Sequence, residues 1–394
     1  MILADHKVSF ENTQTAFSYK NDRELKKSYR LFSMMSKKLL TSFGTSLTKT
    51  ALSMGLPIDG ILRKTIFDQF CGGENIQECA PLIEKIYKYN IGSILDYAVE
   101  GEKTEEGFDH TMQEVLRTIE MSKGNPKIPF SVFKPTGIAS AVIMEKVQKK
   151  EELNETEKIA FKRIKERFET ICQAAFESNV RLFIDSEDSW YQDTIDQIVY
   201  EMMIRYNHKT AIVFNTYQMY RKGMIDRLKL AFHKAAMNNI HLGVKLVRGA
   251  YMEKERERAE EHGYDDPIMP HKGATDKQYD DALRFCIDNN QRVVVCSGSH
   301  NEDSNHYLTL LMDKYNIAPA DDKVWFAQLY GMSDHISFNL AEAGYNVVKY
   351  LPYGPVKKVL PYLIRRAEEN TAIAGQTTRE YRLLKQEMVD RGLI

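Results

Sequence analysis

From residue 91 onward the chain alternates short apolar runs rich in β-branched and aromatic residues with longer stretches whose apolar residues recur every three or four positions. The runs are IGSILDYAVE (91–100), IPFSVFKPTG (128–137), VRLFIDSE (180–187), AIVFNTY (211–217), HLGVKLVRG (241–249), RVVVCSGS (292–299), KVWFAQLYG (323–331) and YNVVKYLPYG (345–354). Helical patterns such as EKIAFKRIKERFETICQAAF and DTIDQIVYEMMIRYNH lie between them. Strands alternating with helices pair in parallel. Eight such units predict a closed (β/α)8 barrel, with an open doubly wound sheet as the rival. No GxGxxG follows the first strand and no GxxxxGK[ST] occurs, so the nucleotide fingerprints of open sheets are missing.

Ahead of this region, DRELKKSYRLFSMMSKKLLTSFGTSLTKTALSM has mixed three- and four-residue apolar spacing. It predicts a helical arm over 1–90, before a barrel over 91–375. The tail TTREYRLLKQEMVDRGLI reads as a weakly amphipathic helix within 376–394, which either packs on the barrel or touches a membrane surface. MEKERERAEEHGYDD, after the fifth run, reads as a solvated helix. In LPYLIRRAEEN, Leu360, Leu363, Ile364 and Ala367 form one helical stripe. Tyr362, Arg365, Arg366 and Glu369 share another face. The window alone leaves open whether that face is solvated or closes on an anion.

Bulk composition narrows the function classes. The 394 residues are 43% hydrophobic and 28% charged with a formal net charge of −1, which gives no electrostatic footprint for nucleic acid. No apolar run approaches the roughly 18 residues of a membrane span. The first 22 residues carry early acids and no long apolar core, unlike a signal or transit peptide. Cys71, Cys79, Cys172, Cys286 and Cys296 are odd in number and form no CxxC pair. They predict a reducing cytoplasmic setting without structural disulfides. HExxH is absent, and His262 and His271 read as loop residues, so no metal site is expected.

Barrel chemistry gathers at the carboxyl ends of the strands. Those ends carry Glu100, Lys134, Asp185 with Glu187, Asn215, Lys245 with Arg248, Ser299 with His300, Gln328 and Tyr350. Such a set suits a lined pocket with a cationic mouth for a small carboxylate or phosphate. Asp185, inside the apolar run LFIDSE, calls for a cationic partner such as Lys134 or an arginine. SGSHNED reads either as a helix start capped by Ser299 or Asn301, or as an anion site. Composition and pattern identify no cofactor.

KLVRGAY (245–251), SHNED (299–303), QLYGM (328–332) and KYLPYGPVKKVLPYLIRRAEEN (349–370) together resemble the proline dehydrogenase family, over a region from about Leu95 to Asn370. The resemblance implies a flavoenzyme with FAD held non-covalently in a distorted (β/α)8 barrel whose last helix lies over the mouth. It implies oxidation of L-proline to Δ1-pyrroline-5-carboxylate, the first step of proline catabolism, with electrons passing to a membrane quinone. Contact with the inner membrane face would be peripheral. Carried over by motif, Arg365 and Arg366 grip the substrate carboxylate with Lys134 as third cation. Tyr350, Tyr362 and Leu329 wall the ring, with Tyr251 as a further wall. Asp185 orients the cations, and Lys245 faces the flavin N5 region. The FAD residues are Ser186, Asn215, Arg248, Gly249, Ala250, Ser299 and His300.

Two departures stand out. Many bacterial members carry Arg at Lys245, and many carry Gln where this strand four is read to end in Asn215. Three other readings stay in view: a Schiff-base lyase using Lys245 or Lys134, a non-catalytic binding barrel, and a flavoenzyme for hydroxyproline or another cyclic imino acid.

Overall fold

A computed structural model describes residues 8–35, 60, 63–98, 102–372 and 376–394. Eight parallel strands close in sequence order into a barrel: β1 Ile91–Tyr97, β2 Phe130–Phe133, β3 Arg181–Ile184, β4 Val213–Gln218, β5 Leu242–Val247, β6 Val293–Gly298, β7 Val324–Leu329 and β8 Val347–Tyr353. The expected barrel is therefore present and the open sheet is not. Parallel strands covered on both faces read as near-continuous apolar runs, which made them visible in the sequence. Glu100 lies outside the described residues.

Helices α1 Thr13–Phe17, α2 Asp22–Met35 and α3 Ile76–Tyr87 precede β1. Then come α4 Glu105–Ser122, α5 Ala141–Gln148, α6 Glu155–Glu177, α7 Ser189–Tyr206, α8 Met224–Met237, α9 Met252–His262, α10 Lys272–Asp288 and α11 Glu302–Lys314. Helix α12 Asp334–Glu342 joins β7 to β8, and α13 Val356–Ala372 and α14 Gln376–Asp390 come after β8. Helix starts obey local chemistry. Asn154 and Glu157 cap α6 reciprocally, each side chain taking the other's backbone N–H.

The chain divides into two compact units, one of residues 101–327 and one joining residues up to 100 with 328–394. In the first, the strand interiors are floored by aromatic rings. Phe130 stacks on Phe183 with centroids 4.4 Å apart, while Phe214 and Trp325 meet Phe130 edge-on at 5.8 and 5.0 Å. The charge-run helix α9 also belongs to this unit and is not simply solvated. Glu255 is fully buried, accepting from the Ser189 N–H at 2.7 Å and its hydroxyl at 2.5 Å. Arg258 lies over the Trp190 ring at 4.3 Å. A charged helix can dock when its acids meet backbone donors and its cations meet rings.

In the second unit, Phe17, Leu25, Phe32 and Met35 pack with Leu383, Leu384 and Met388 of α14 and with Phe67, Phe70 and Tyr362. The apolar side of the C-terminal helix is thus spent inside a core. The Arg391 guanidinium adds bonds to the carbonyls of Phe17 and Lys20 at 3.0 and 2.8 Å.

Phe130→Ala is expected to destabilise the protein by about 3–5 kcal/mol, because the ring's three aromatic neighbours cannot collapse into the gap. Urea unfolding checks this; a midpoint equal to wild type would contradict the packed floor.

Candidate active site

The charged groups of residues 101–327 gather where β2, β3 and β5 end. The Asp185 carboxylate takes a 2.6 Å hydrogen bond from Lys245 Nζ on one oxygen and has Lys134 Nζ at 4.0 Å from the other. All three side chains are largely withdrawn from solvent, at 15, 7 and 12% exposure. The carboxylate thus stands between two ammonium groups, one in hydrogen-bond contact and one at ion-pair distance. Lys245 Nζ sits 5.5 Å from the centroid of the Phe183 ring, so the aromatic floor carries part of that charge. The partner that Asp185 needed is found, with Lys245 closer than Lys134.

The turn after β2 fixes where Lys134 stands. Thr136 donates its backbone N–H and its hydroxyl to the Glu187 carboxylate at 2.7 and 2.5 Å. Asp185 and Glu187 stand two residues apart at the end of β3. One meets the lysines and the other clamps the turn that carries Lys134.

Strand register separates Asn215 from this cluster. Thr216 pairs with Lys245 and Gln218 with Val247, so by strand alternation Thr216 and Gln218 share the face of Lys245. Asn215 and Tyr217 face the other way. The Asn215 amide donates to Asp196 of α7 at 3.0 Å, and the Tyr217 and Tyr200 hydroxyls meet at 2.8 Å. Gln218, one residue past the expected strand end, is 2% exposed, and among the described residues its Oε1 and the buried Ser186 hydroxyl have no hydrogen-bond partner. Gln218 Nε2 reaches only the Ser186 carbonyl, at 3.4 Å. Alternation counted back from Lys245 could have selected Gln218.

Arg248 is fixed by Asp276 at 2.8 Å, by the Ser299 and Ser304 hydroxyls at 2.8 and 3.0 Å, and by stacking on Tyr279 at 4.4 Å. Burial alone would raise the Asp276 carboxyl, but Lys272 and Arg248 outweigh it and hold it below the usual carboxylate range. Asn301 caps α11 by accepting from Ser304 N–H at 2.9 Å. His300 lies half-buried between that cap and Ser299. Gly249 has φ +129°, and a Cβ there would fall 2.3 Å from the Tyr220 ring, so only glycine fits. Gly249 and Ala250 are exposed and Tyr251 half-exposed. His271 caps α10 by accepting from Ala274 N–H at 3.1 Å, and His262 ends α9.

In the other unit, Tyr350 is 5% exposed on β8, and its carbonyl accepts from Tyr330 N–H at 2.8 Å. Leu329 ends β7. Among the described side chains of α13, Val356, Val359, Tyr362 and Leu363 are buried, whereas Leu360 and Ile364 are half-buried. The protected face thus includes Tyr362 beside the expected Leu363, while the side chain of Ala367, the last member of the expected stripe, lies outside the described residues. Arg365 is half-buried, and the side chain of Arg366 lies outside the described residues.

A closed parallel barrel with buried cations, a bridging carboxylate and unfilled polar atoms at its strand ends defines a (β/α)8-barrel enzyme. The family model for proline dehydrogenase matches residues 79–379, and the chain belongs to that family. It is 34% identical over 384 residues to "Proline dehydrogenase 1, mitochondrial" of Dictyostelium discoideum, covering 86% of this chain and 67% of the relative. It is 34% identical over 322 residues to "Carbapenem antibiotics biosynthesis protein CarD" of Pectobacterium carotovorum subsp. carotovorum, covering 82% and 83%. The human "Proline dehydrogenase 1, mitochondrial" is 41% identical over 240 residues, covering 60% and 40%. Among solved structures, proline utilization A of Bdellovibrio bacteriovorus inactivated by N-propargylglycine superposes with a TM-score of 0.70 at 20% identity. That match covers 91% of this chain and 38% of the larger one, and it shows the fold.

Asn215→Leu is expected to lower the stability of the flavin-free protein by about 1–3 kcal/mol, since it takes a donor from the half-buried Asp196 and buries no polar replacement. Gln218→Leu should cost less, because Oε1 takes no hydrogen bond among the described residues and Nε2 makes a single long one, at 3.4 Å, to the Ser186 carbonyl. Thermal unfolding of both variants decides between them, and equal losses would refute the division of roles.

Proposed function

We propose that this proline dehydrogenase family member oxidises L-proline to Δ1-pyrroline-5-carboxylate with FAD as cofactor and a quinone as electron acceptor. The observation that carries the reading is the Lys134–Asp185–Lys245 cluster, together with a Ser186 hydroxyl and a Gln218 Oε1 that take no hydrogen bond among the described residues, in a chain matched by the family across its barrel. Unfilled donors and acceptors of that kind fit a polar, planar heterocycle. Ser186, Gln218 and Lys245 would hold the ring system, and Arg248, Gly249, Ala250, Ser299 and His300 the remainder of the cofactor. Gln218 takes the part that the family resemblance gives to Asn215. FAD, when bound, supplies the hydride acceptor.

The chain's own residues place the substrate. Lys134, Arg365 and Arg366 bind the carboxylate; a charge-assisted hydrogen bond contributes roughly 1.5–3 kcal/mol, and guanidinium matches carboxylate in plane and spacing. Asp185 keeps the two lysines from repelling one another and sets their direction, and Glu187 steadies the Lys134 turn. Leu329, Tyr350, Tyr362 and Tyr251 wall the ring and exclude water. With the carboxylate pinned, C5 and the ring nitrogen have one orientation. Loss of a hydride from C5 and a proton from nitrogen gives the C=N bond of the product.

Quinone as acceptor requires access to the bilayer surface. Among the described residues no helix is long and apolar enough to cross a membrane, and the apolar side of α14 is already buried. On this reading the contact is peripheral, at the inner membrane face, and made by some surface other than α14.

The protein is expected to purify yellow and to bleach anaerobically on adding L-proline. A folded preparation that neither contains FAD nor takes it up would overturn the proposal. Tyr350 sets ring preference: a 4-hydroxyl pressed on its ring loses water without a matched partner, costing about 1–3 kcal/mol. That gives roughly a 5- to 150-fold preference for L-proline over trans-4-hydroxy-L-proline in kcat/KM. Tyr350→Ser should shrink the ratio, mainly by losing proline activity; an unchanged ratio would remove Tyr350 from specificity.

A further inference from the structure

A second buried ionic cluster lies in the unit formed by the chain ends, and none of its charges takes part in the proposed hydride transfer. Lys349 is 1% exposed on β8, adjacent to Tyr350. Its ammonium pairs with Asp334 at 2.9 Å and bonds the carbonyls of Met332 at 2.6 Å and Leu329 at 3.5 Å. Two hydrogen bonds and one ion pair therefore hold three points of one turn, from the end of β7 to the start of α12. The turn is tied from other directions too. Gln69 donates to the Gly331 carbonyl at 2.9 Å, and Glu380 of α14 accepts from Ser333 N–H at 3.1 Å. Gly331 has φ +79°, and a Cβ there would lie 2.0 Å from the Gln69 carbonyl oxygen, while Ser333 holds φ +51° without being glycine. Backbone in that region persists only where its surroundings fix it.

Asp334, 2% exposed, joins this turn to the arm ahead of the barrel. Its second oxygen accepts from the Tyr19 hydroxyl at 2.7 Å and lies 3.8 Å from Lys20 Nζ. Tyr19 also stacks on Phe338 of α12 at 4.5 Å. Burial alone would raise the Asp334 carboxyl, but Lys349 and Lys20 outweigh it and hold it below the ordinary range.

We propose that Lys349 is a positioning residue whose ammonium fixes the 329–334 turn, and with it the substrate walls Leu329 and Tyr350, and that Asp334 extends this control to Tyr19 and Lys20. The inference rests on the proposed reaction, in which those walls contact the substrate. Strand alternation puts Lys349 on the helix side of β8 and Tyr350 on the opposite face. The Tyr330 N–H to Tyr350 carbonyl bond couples the turn to that strand. The arm is then part of the substrate site's framework.

The test compares wild type with Lys349→Met, Asp334→Asn and Tyr19→Phe, with Lys27→Met as control; Lys27 is an arm residue in an exposed pair with Asp68. Flavin content, thermal midpoint, and kcat and KM for L-proline and trans-4-hydroxy-L-proline are measured on each. Lys349→Met and Asp334→Asn should raise KM for L-proline about tenfold and lower the preference for L-proline, with flavin content unchanged. Tyr19→Phe should raise KM about threefold, and Lys27→Met should not move it. Variants that lose thermal midpoint while keeping wild-type KM and preference would show a purely structural cluster and overturn the inference. If Lys349→Met does not fold, the other two substitutions decide. A wild-type protein that neither bleaches with nor turns over L-proline would instead sink the proposed reaction.

Discussion

The barrel end depends on keeping two ammonium groups close together and away from water. Lys134 and Lys245, 12 and 7% exposed, would repel each other across low-dielectric surroundings. Asp185 resolves the conflict by standing between them, and the Phe183 ring beneath Lys245 adds a second, weaker attraction. The aromatic floor is what makes the region dry, and the dryness is what makes the carboxylate necessary. Floor, carboxylate and lysines therefore form one requirement distributed over β2, β3 and β5. Glu187 acts one step further out, by fixing the turn that aims Lys134.

Much of this was legible because parallel barrels write a simple code. Each strand is a short apolar run, so the eight strands could be read directly, and the ends of β2, β3 and β5 offered Lys134, Asp185 and Lys245, which the structure brings together. Asp185 was legible for a sharper reason: a carboxylate inside LFIDSE has no cheap solution other than a cation. What the pattern did not show was which side of a strand a terminal residue faces. Asn215 lies mid-strand in β4 and Gln218 at its end, and register against Lys245 sends the first toward Asp196 and leaves the second with an open acceptor. Strand length decided the matter, and strand ends are where local pattern is weakest.

Helix faces failed in a related way. On α13 the residue letters favoured an aliphatic stripe, yet Tyr362 is buried and Leu360 is not fully so. A tyrosine has enough apolar surface to join a core, and hydropathy alone does not rank it against leucine. On α9 the density of Lys, Arg and Glu suggested solvent, whereas Glu255 is fully buried against Ser189. Burial of a charge is settled by a partner distant in sequence, and no window of the chain contains that partner.

The same physics recurs in the chain-end unit. Asp334 stands between Lys20 and Lys349 as Asp185 stands between Lys134 and Lys245. Desolvating three charges costs several kcal/mol per ion, and a packed apolar substitute is often no less stable, so stability alone does not account for either cluster. What an ionic cluster provides that an apolar one does not is direction. A leucine in place of Lys349 could fill the volume, but it could not tell the carbonyls of Leu329 and Met332 where to point. In an enzyme whose substrate is a small ring held by its edges, a wall displaced by an ångström no longer distinguishes one ring from another. Where position matters more than depth of the free-energy well, a buried carboxylate between two lysines is a sufficient physical reason for both clusters to exist.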